Sequence, residues 1–268
     1  MLRSAFLTAL CALASPLSAQ SFGAGPDVID VEVLPGWKEP GMEHIAALRL
    51  SLAPGWKTYW RAPGDAGIPP MFDWTGSSNV AEVRPHWPVP EIFNQNGMRS
   101  IGYENEVVIP LHITRENANE PIRLTAEVSI GVCEEICVPA MVRFDTMLPA
   151  QGAADQDISA AMADRPMTEA EAGVTDVVCS IEPISDGLAL TVSVTMPPFA
   201  RGEESAIETS DPTVWVAEPA MARVGDVLTA TTELVRYDGV PFALDRSGVR
   251  MTVFGGNQAV DIRGCRAG

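Results

Sequence analysis

Two cysteines separated by three residues, Cys133-Glu134-Glu135-Ile136-Cys137, carry the sharpest chemistry in this sequence. If the intervening residues make a tight turn, the cysteines face each other across its base at about 4.5–5.5 Å between Cα atoms. That lies within the roughly 4.4–6.8 Å a disulfide tolerates. A bridge closing so small a ring adds little to folding through chain entropy, which makes it a candidate for a bridge that opens and closes; a static surface disulfide is the plain alternative. Glu134 and Glu135 repel a thiolate and so raise the thiol pKa values, unless a cation such as Arg143 or Arg99 folds over the pair. A pair so placed suits a reductant better than a strong oxidant.

Metal binding is a second reading of the same residues. Zinc wants four ligands, and no second close Cys/His pair accompanies these two. Soft Cu(I) would accept two thiolates and a thioether such as Met141. The 11 methionines are scattered, as core-filling residues are. His44, His86 and His112 are too separated to read as a catalytic set, and no Walker loop, dinucleotide fingerprint or hydrolase triad is present.

Cys179 and Cys265 stand 86 positions apart, in the opening and closing strands of the second half. They read as a structural disulfide tying first strand to last.

The elements that must position these cysteines are strands. From Val28 onward, short alternating runs are broken by Gly, Pro, Asn and Asp. The clearest run is Ile122 to Val132, where Ile122, Leu124, Ala126, Val128, Ile130 and Val132 alternate with polar or small residues and deliver Cys133 at the strand's end. Pro139 and the run Met141 to Met147 bring the chain back. Val107 to Ile113 and Leu48 to Leu52 repeat the alternation. Between Gln151 and Gly173 the composition turns to Ala, Asp, Gln and Glu, with Asp157 placed to cap a short helix through Ala163 that Pro166 stops. Beyond it, Val174–Ile181, Leu188–Met196, Thr213–Val216, Val227–Val235, Val249–Phe254 and Ala259–Ile262 again read as strands. The expectation is an all-β chain of two immunoglobulin-like β-sandwich domains joined by a short helical linker: a signal peptide at 1–19, a first domain at 20–150, a linker at 151–172 and a second domain at 173–268. The tryptophans of the Pro54–Asn105 stretch read as core and corner residues rather than a carbohydrate platform.

Arg3 followed by the apolar run Ala5–Ala14, Pro16 and small residues near Ala19 marks a secretory signal peptide that includes Cys11, and so an exported, periplasmic chain. No later segment approaches 18 apolar residues, so membrane insertion of the mature chain is not expected. With 268 residues, 46% of them hydrophobic, there is ample material for two cores. The charge of −17, with no basic cluster, argues against nucleic acid as a partner.

The segment Leu52 to Pro70, which contains Pro54-Gly55-Trp56-Lys57-Thr58-Tyr59-Trp60-Arg61, then Trp87 to Phe93 and Gly131 to Pro139, resembles the N-terminal periplasmic region of the DsbD/ScsB thiol:disulfide interchange proteins. In the second half, Pro241 to Ser247 and Asp261-Ile262-Arg263-Gly264-Cys265 are similar to the longer ScsB-type versions. The resemblance implies a protein-disulfide reductase acting as an electron relay without a bound cofactor. It makes Cys137 the thiol that forms mixed disulfides, Cys133 the resolving thiol, and Glu91–Tyr103 a cap loop whose aromatics, Phe93 and Tyr103, shield the pair. The chain ends at Gly268, without the transmembrane conduit and thioredoxin-like domain of full-length members. Its implied partners are therefore a separate membrane electron conduit or thioredoxin-like donor, and oxidised periplasmic thiol proteins as clients. The competing expectation is a non-catalytic, copper-related binding or assembly module with a structural or metal-holding cysteine pair.

Overall fold

A computed structural model of the chain describes residues 28–64, 67–95 and 97–268. The expected signal peptide lies outside the described residues. In the first half, β1 (Ile29–Lys38), β2 (Glu43–Leu52), β3 (Lys57–Tyr59), β4 (Met71–Asp73) and β5 (Glu82–Pro85) are followed by β6 (Glu91–Gln95), β7 (Met98–Glu104), β8 (Glu106–Thr114), β9 (Ile122–Cys133) and β10 (Cys137–Leu148). They form two antiparallel sheets, β1-β2-β8-β5 and β10-β9-β3-β7-β6, with β4 pairing on the edge of β9 beside β3. Leu48, Leu50, Val107, Ile109 and Leu111 of one sheet share a core with Ile101, Leu124, Val128, Ile130 and Val132 of the other, which makes a sandwich. The six alternating apolar residues of β9 are all buried, as its pattern requires.

The helix α1 (Gln156–Ala163) follows, and Ile158 plugs it onto Leu34, Ile45 and Ala47 of the first sheet. Asp155, not Asp157, is its N-cap: the Asp155 carboxylate accepts from the backbone N–H groups of Asp157 and Ile158. Asp157 falls in the first turn instead, and its carboxylate pairs with Arg49 on β2.

The second half comprises β11 (Met167–Thr168), β12 (Asp176–Pro183), β13 (Leu188–Thr195), β14 (Glu204–Glu208), β15 (Val214–Val216) and β16 (Ala220–Val224), then β17 (Val227–Arg236), β18 (Arg250–Gly255), β19 (Gln258–Arg263) and β20 (Arg266–Ala267). Its sheets are β11-β19-β18-β14 and β15-β17-β13-β12-β20, with β16 also pairing with β17. The architecture is all-β with one short helix, an immunoglobulin-like sandwich in each half. No helix among the described residues is long and apolar enough to cross a membrane.

The halves are not beads on a string. Trp60, fully buried just past β3, sets its ring edge-on to Phe254 of β18 at 5.4 Å between centroids. Arg61 donates from Nε to Glu208 on β14 at 3.1 Å. Arg99, 8% exposed on β7, donates from Nη2 to the Ser205 carbonyl at 2.9 Å and from Nη1 to Glu204 at 3.2 Å. The second half thus grips β7 and the end of β3, the strand that pairs with β9. Trp56, Trp74 and Trp87 pack partly buried on the first core, as core and corner residues do.

Candidate active site

Strands β9 and β10 form one long hairpin whose last cross-strand pair is Cys133 opposite Cys137, and Glu134, Glu135 and Ile136 make the exposed turn. The two cysteines are bonded, with Cα atoms 4.2 Å apart, a little under the spacing expected from the turn. Cys133 is half-buried and Cys137 exposed.

Register decides which side chains share their face. Paired residues on neighbouring strands project to the same side of a sheet. Cys133 pairs with Lys57 on β3, and Lys57 pairs in turn with Glu104 on β7. Two residues along, Tyr59 pairs with Gly102; further out, Ser100 pairs with Phe93 on β6. Cys137, Cys133, Lys57, Tyr59 and Phe93 therefore occupy one outer face. Val132, Thr58, Tyr103 and Ile101 occupy the other, and all four are buried in the core.

This alternation separates the two aromatics expected to shield the cysteines. Phe93 lies on the cysteines' face, half-buried, with the Lys57 ammonium 4.4 Å from its ring centroid. Lys57 thus joins Phe93 to the strand position beside Cys133. Tyr103 points into the core and donates its hydroxyl to the Pro88 carbonyl at 2.9 Å; burial drives its pKa well up. It supports the sandwich from within rather than covering the bridge. The odd spacing between core-facing and outward positions on β7 is the physical reason.

The aromatic that touches sulfur is one to which sequence reasoning gave no role. Tyr59 places its hydroxyl 2.8 Å from Cys137 Sγ. Although it belongs to the outer face, Tyr59 is 5% exposed, and Gly67 approaches its ring closely enough that a Cβ there would stand 2.9 Å from Tyr59 Cδ1. The ring crosses β9 at Gly131, where a Cβ would stand 2.8 Å from Tyr59 Cδ2 and 2.7 Å from Ile68 Cβ. Burial raises the Tyr59 pKa, so the hydroxyl keeps its proton at neutral pH and can donate to a thiolate. The signal in the sequence was the alternation of Lys57 and Tyr59 in a short run, which the fold places on the strand directly beside Cys133.

The expected cations are engaged elsewhere. Arg143 pairs with Glu127 farther down the hairpin, and Arg99 is buried against Glu204 and Glu218. Lys57 is the basic residue that register brings to the pair. On the other side, Glu134 lies against the β2–β3 turn, its Oε1 3.3 Å from where a Cβ on Gly55 (φ +83°) would stand.

Met141, considered as a thioether ligand, is four residues beyond Cys137 on the same extended strand, roughly 13 Å along it at the usual rise. It does not join the two sulfurs in a common ligand set. Among the described residues no group of three or more His, Cys, Asp or Glu side chains is arranged to hold a metal ion.

Cys179, buried on β12, is bonded to Cys265, which lies between β19 and β20, at 5.6 Å between Cα atoms. The bridge ties the sheet containing β12 to the chain's closing segment.

Residues 28–149 match the family described as "Thiol:disulfide interchange protein DsbD, N-terminal". The fold is similar to the crystal structure of the N-terminal periplasmic domain of ScsB from Proteus mirabilis, with a TM-score of 0.62 at 24% sequence identity, covering 90% of this chain and 95% of that one. At this identity the likeness establishes the shared two-part fold. No curated protein matches the chain.

Proposed function

We propose, from the DsbD N-terminal domain that residues 28–149 carry, that this chain exchanges disulfides with other proteins through Cys133 and Cys137 and relays electrons between them. The observation carrying this reading is the placement of an exposed Cys137 and a half-buried Cys133 at the tip of a hairpin, bridged across a turn of three residues. Such a bridge contributes little to the stability of the sandwich and is open to attack by another thiol.

In the reductive half, a thiolate of a reduced donor attacks the bridge and forms a mixed disulfide. The donor's second thiolate resolves it, so the donor leaves oxidised and two electrons remain on Cys133 and Cys137. In the second half, the Cys137 thiolate attacks a client disulfide and expels one client thiolate, which takes up a proton. Cys133 then attacks Cys137 Sγ, releases the second client thiol and restores the bridge. The exposure of Cys137 and the hydroxyl beside its sulfur favour it as the attacking thiol. Phe93 and Lys57 act as the cover, limiting approach to partners that displace them. No cofactor enters the cycle.

The donor is a separate membrane conduit or thioredoxin-like protein, and the clients are oxidised thiol proteins of the periplasm, the compartment of the similar ScsB domain. Residues 20–150 serve as the redox domain, 151–172 as the linker and 173–268 as a second sandwich domain whose Cys179–Cys265 bridge is structural.

The deciding experiment uses Cys133→Ser, which leaves Cys137 without its resolving partner. Incubated with an extract of oxidised periplasmic proteins, it should accumulate mixed disulfides that map by mass spectrometry to Cys137 and disappear with dithiothreitol. Absence of such adducts, or adducts at Cys179 or Cys265 instead, overturns the relay.

A further inference from the structure

A cavity of about 580 Å³ opens where the halves meet, between the end of β5 and the segment that follows α1. Arg61, Arg165, Arg250 and Arg263 all line it. Across the whole chain, 18 basic residues face 35 acidic ones; here four guanidinium groups meet two carboxylates, those of Asp261 and Glu169. Glu208 and Glu171 pair with Arg61 and Arg165 besides, so the charges balance, and what the cavity offers an anion is a concentration of guanidinium N–H donors.

We propose that this cavity binds a small molecule carrying a carboxylate or phosphate group. Asp261 is shared among three guanidinium groups: it accepts from Arg250 at 2.5 Å and from Arg263 at 3.0 Å, and Arg61 stands at 4.0 Å. Arg61 is held in addition by Glu208, and Arg165 on the facing segment by Glu171. Glu169 accepts the backbone N–H of Arg263. Each guanidinium has five N–H donors in a planar fork; Arg263 spends only Nε on Asp261, and Arg250 spends Nε and Nη2. Among the described residues that leaves donors on both for a ligand oxygen, and the carboxylates hold the forks in place without saturating them.

The rest of the lining suits the body of such a molecule. Trp87, Pro85 and Met167 supply apolar walls. His86, whose buried Nε2 has no hydrogen-bond partner, also lines the cavity. The volume falls in the roughly 300–1,000 Å³ range of small-molecule sites, which favour domain junctions. It suits a compact ligand better than a protein surface.

The test is calorimetric titration of the intact protein with sodium phosphate and, separately, with sodium citrate, with ionic strength matched throughout by sodium chloride. The variants are Arg263→Gln and Arg165→Gln, both at exposed side chains, so that circular dichroism should match the parent. The expected result is saturable binding of at least one anion, weakened about tenfold or more in each variant, as loss of a charge-assisted hydrogen bond implies. Binding of citrate alone assigns the site to polycarboxylates, and binding of phosphate alone assigns it to phosphate esters. Heats no larger than the chloride control for both anions, or variants that bind as tightly as the parent, overturn the proposal.

Discussion

The Tyr59 hydroxyl lies 2.8 Å from Cys137 Sγ, on the face of the sheet where β9 and β10 end in the bonded cysteines. With the bridge closed this is a contact to a neutral sulfur. Once the bridge opens, the same hydroxyl can donate to the Cys137 thiolate and stabilise the nucleophile. A charge-assisted hydrogen bond contributes about 1.5–3 kcal/mol, equivalent to about one to two pKa units. Tyr59→Phe is therefore expected to raise the Cys137 thiol pKa by about one unit or more. Peptide-level mass spectrometry of iodoacetamide labelling in the reduced protein, followed against pH, measures it. An unchanged profile would show that the hydroxyl only packs.

Gly131 is the floor on which the Tyr59 ring rests. A methyl group there meets Tyr59 Cδ2 at 2.8 Å and Ile68 Cβ at 2.7 Å, so the ring must shift. Gly131→Ala should cost about 1–3 kcal/mol of stability, as overpacking does, and should reproduce the alkylation profile of Tyr59→Phe. Urea denaturation and the labelling assay together separate the two effects.

Removing the Phe93 ring tests the cover. Lys57 and Phe93 form a cation–π pair at 4.4 Å on the cysteines' face, which holds both in place by about 0.5–1 kcal/mol. Phe93→Ala should let dithiothreitol reduce the Cys133–Cys137 bridge severalfold faster, while Tyr103→Phe, altered in the core, should leave that rate unchanged. Stopped-flow reduction with acid quench reads both.

Much of this site is legible in the sequence alone, and what is not has a common cause. The strict two-residue period of Ile122 to Val132 announced a half-buried strand ending at Cys133, and the three-residue turn brought Cys137 opposite it. Single-strand alternation says which residues of one strand share a face. It does not say how faces on different strands are phased. That phasing, set by the pairing of Thr58 with Tyr103 and of Ser100 with Phe93, sent one expected shield residue inward and the other outward. The cations failed for a related reason: Arg99 is consumed by Glu204 and Ser205, partners more than a hundred residues away that no local pattern connects to it. The two large disulfide-bearing halves were visible as alternating runs, but the short strands β11, β14, β16 and β20 carry too few residues to show a period.

His44 makes stability depend on pH. It is fully buried on β2, its Nε2 is 2.8 Å from the Pro35 carbonyl, and Arg115 donates to its Nδ1 at 3.0 Å. Together they fix the neutral imidazole with its proton on Nε2, because Arg115 can donate only to an unprotonated Nδ1. Burial first, and then Arg115, lower its pKa below the ordinary 6.5; burial lowers those of His86 and His112 as well. Because the unfolded chain takes up these protons more readily, the stabilisation is full above the ordinary histidine range and is lost as pH falls below it toward the depressed folded values. Urea midpoints should therefore decline as pH falls below about 6.5, with a shallower slope in His44→Gln. Equal slopes would assign the acid sensitivity to other groups.

The two disulfides should separate cleanly by role. Cys179–Cys265 closes a loop of 86 positions from a fully buried sulfur on β12, and by loop-entropy reasoning its removal costs about 4 kcal/mol. Cys133–Cys137 closes a separation of 4 at an exposed turn, where the entropic gain is small. Cys179→Ala/Cys265→Ala should thus lower the urea midpoint sharply while leaving the alkylation behaviour of reduced Cys137 intact in the fraction that folds. Cys133→Ala/Cys137→Ala should do the reverse, abolishing exchange with protein disulfides at nearly unchanged stability. If the small bridge proves to carry the larger share of stability, it is a staple, and the case for its opening and closing fails.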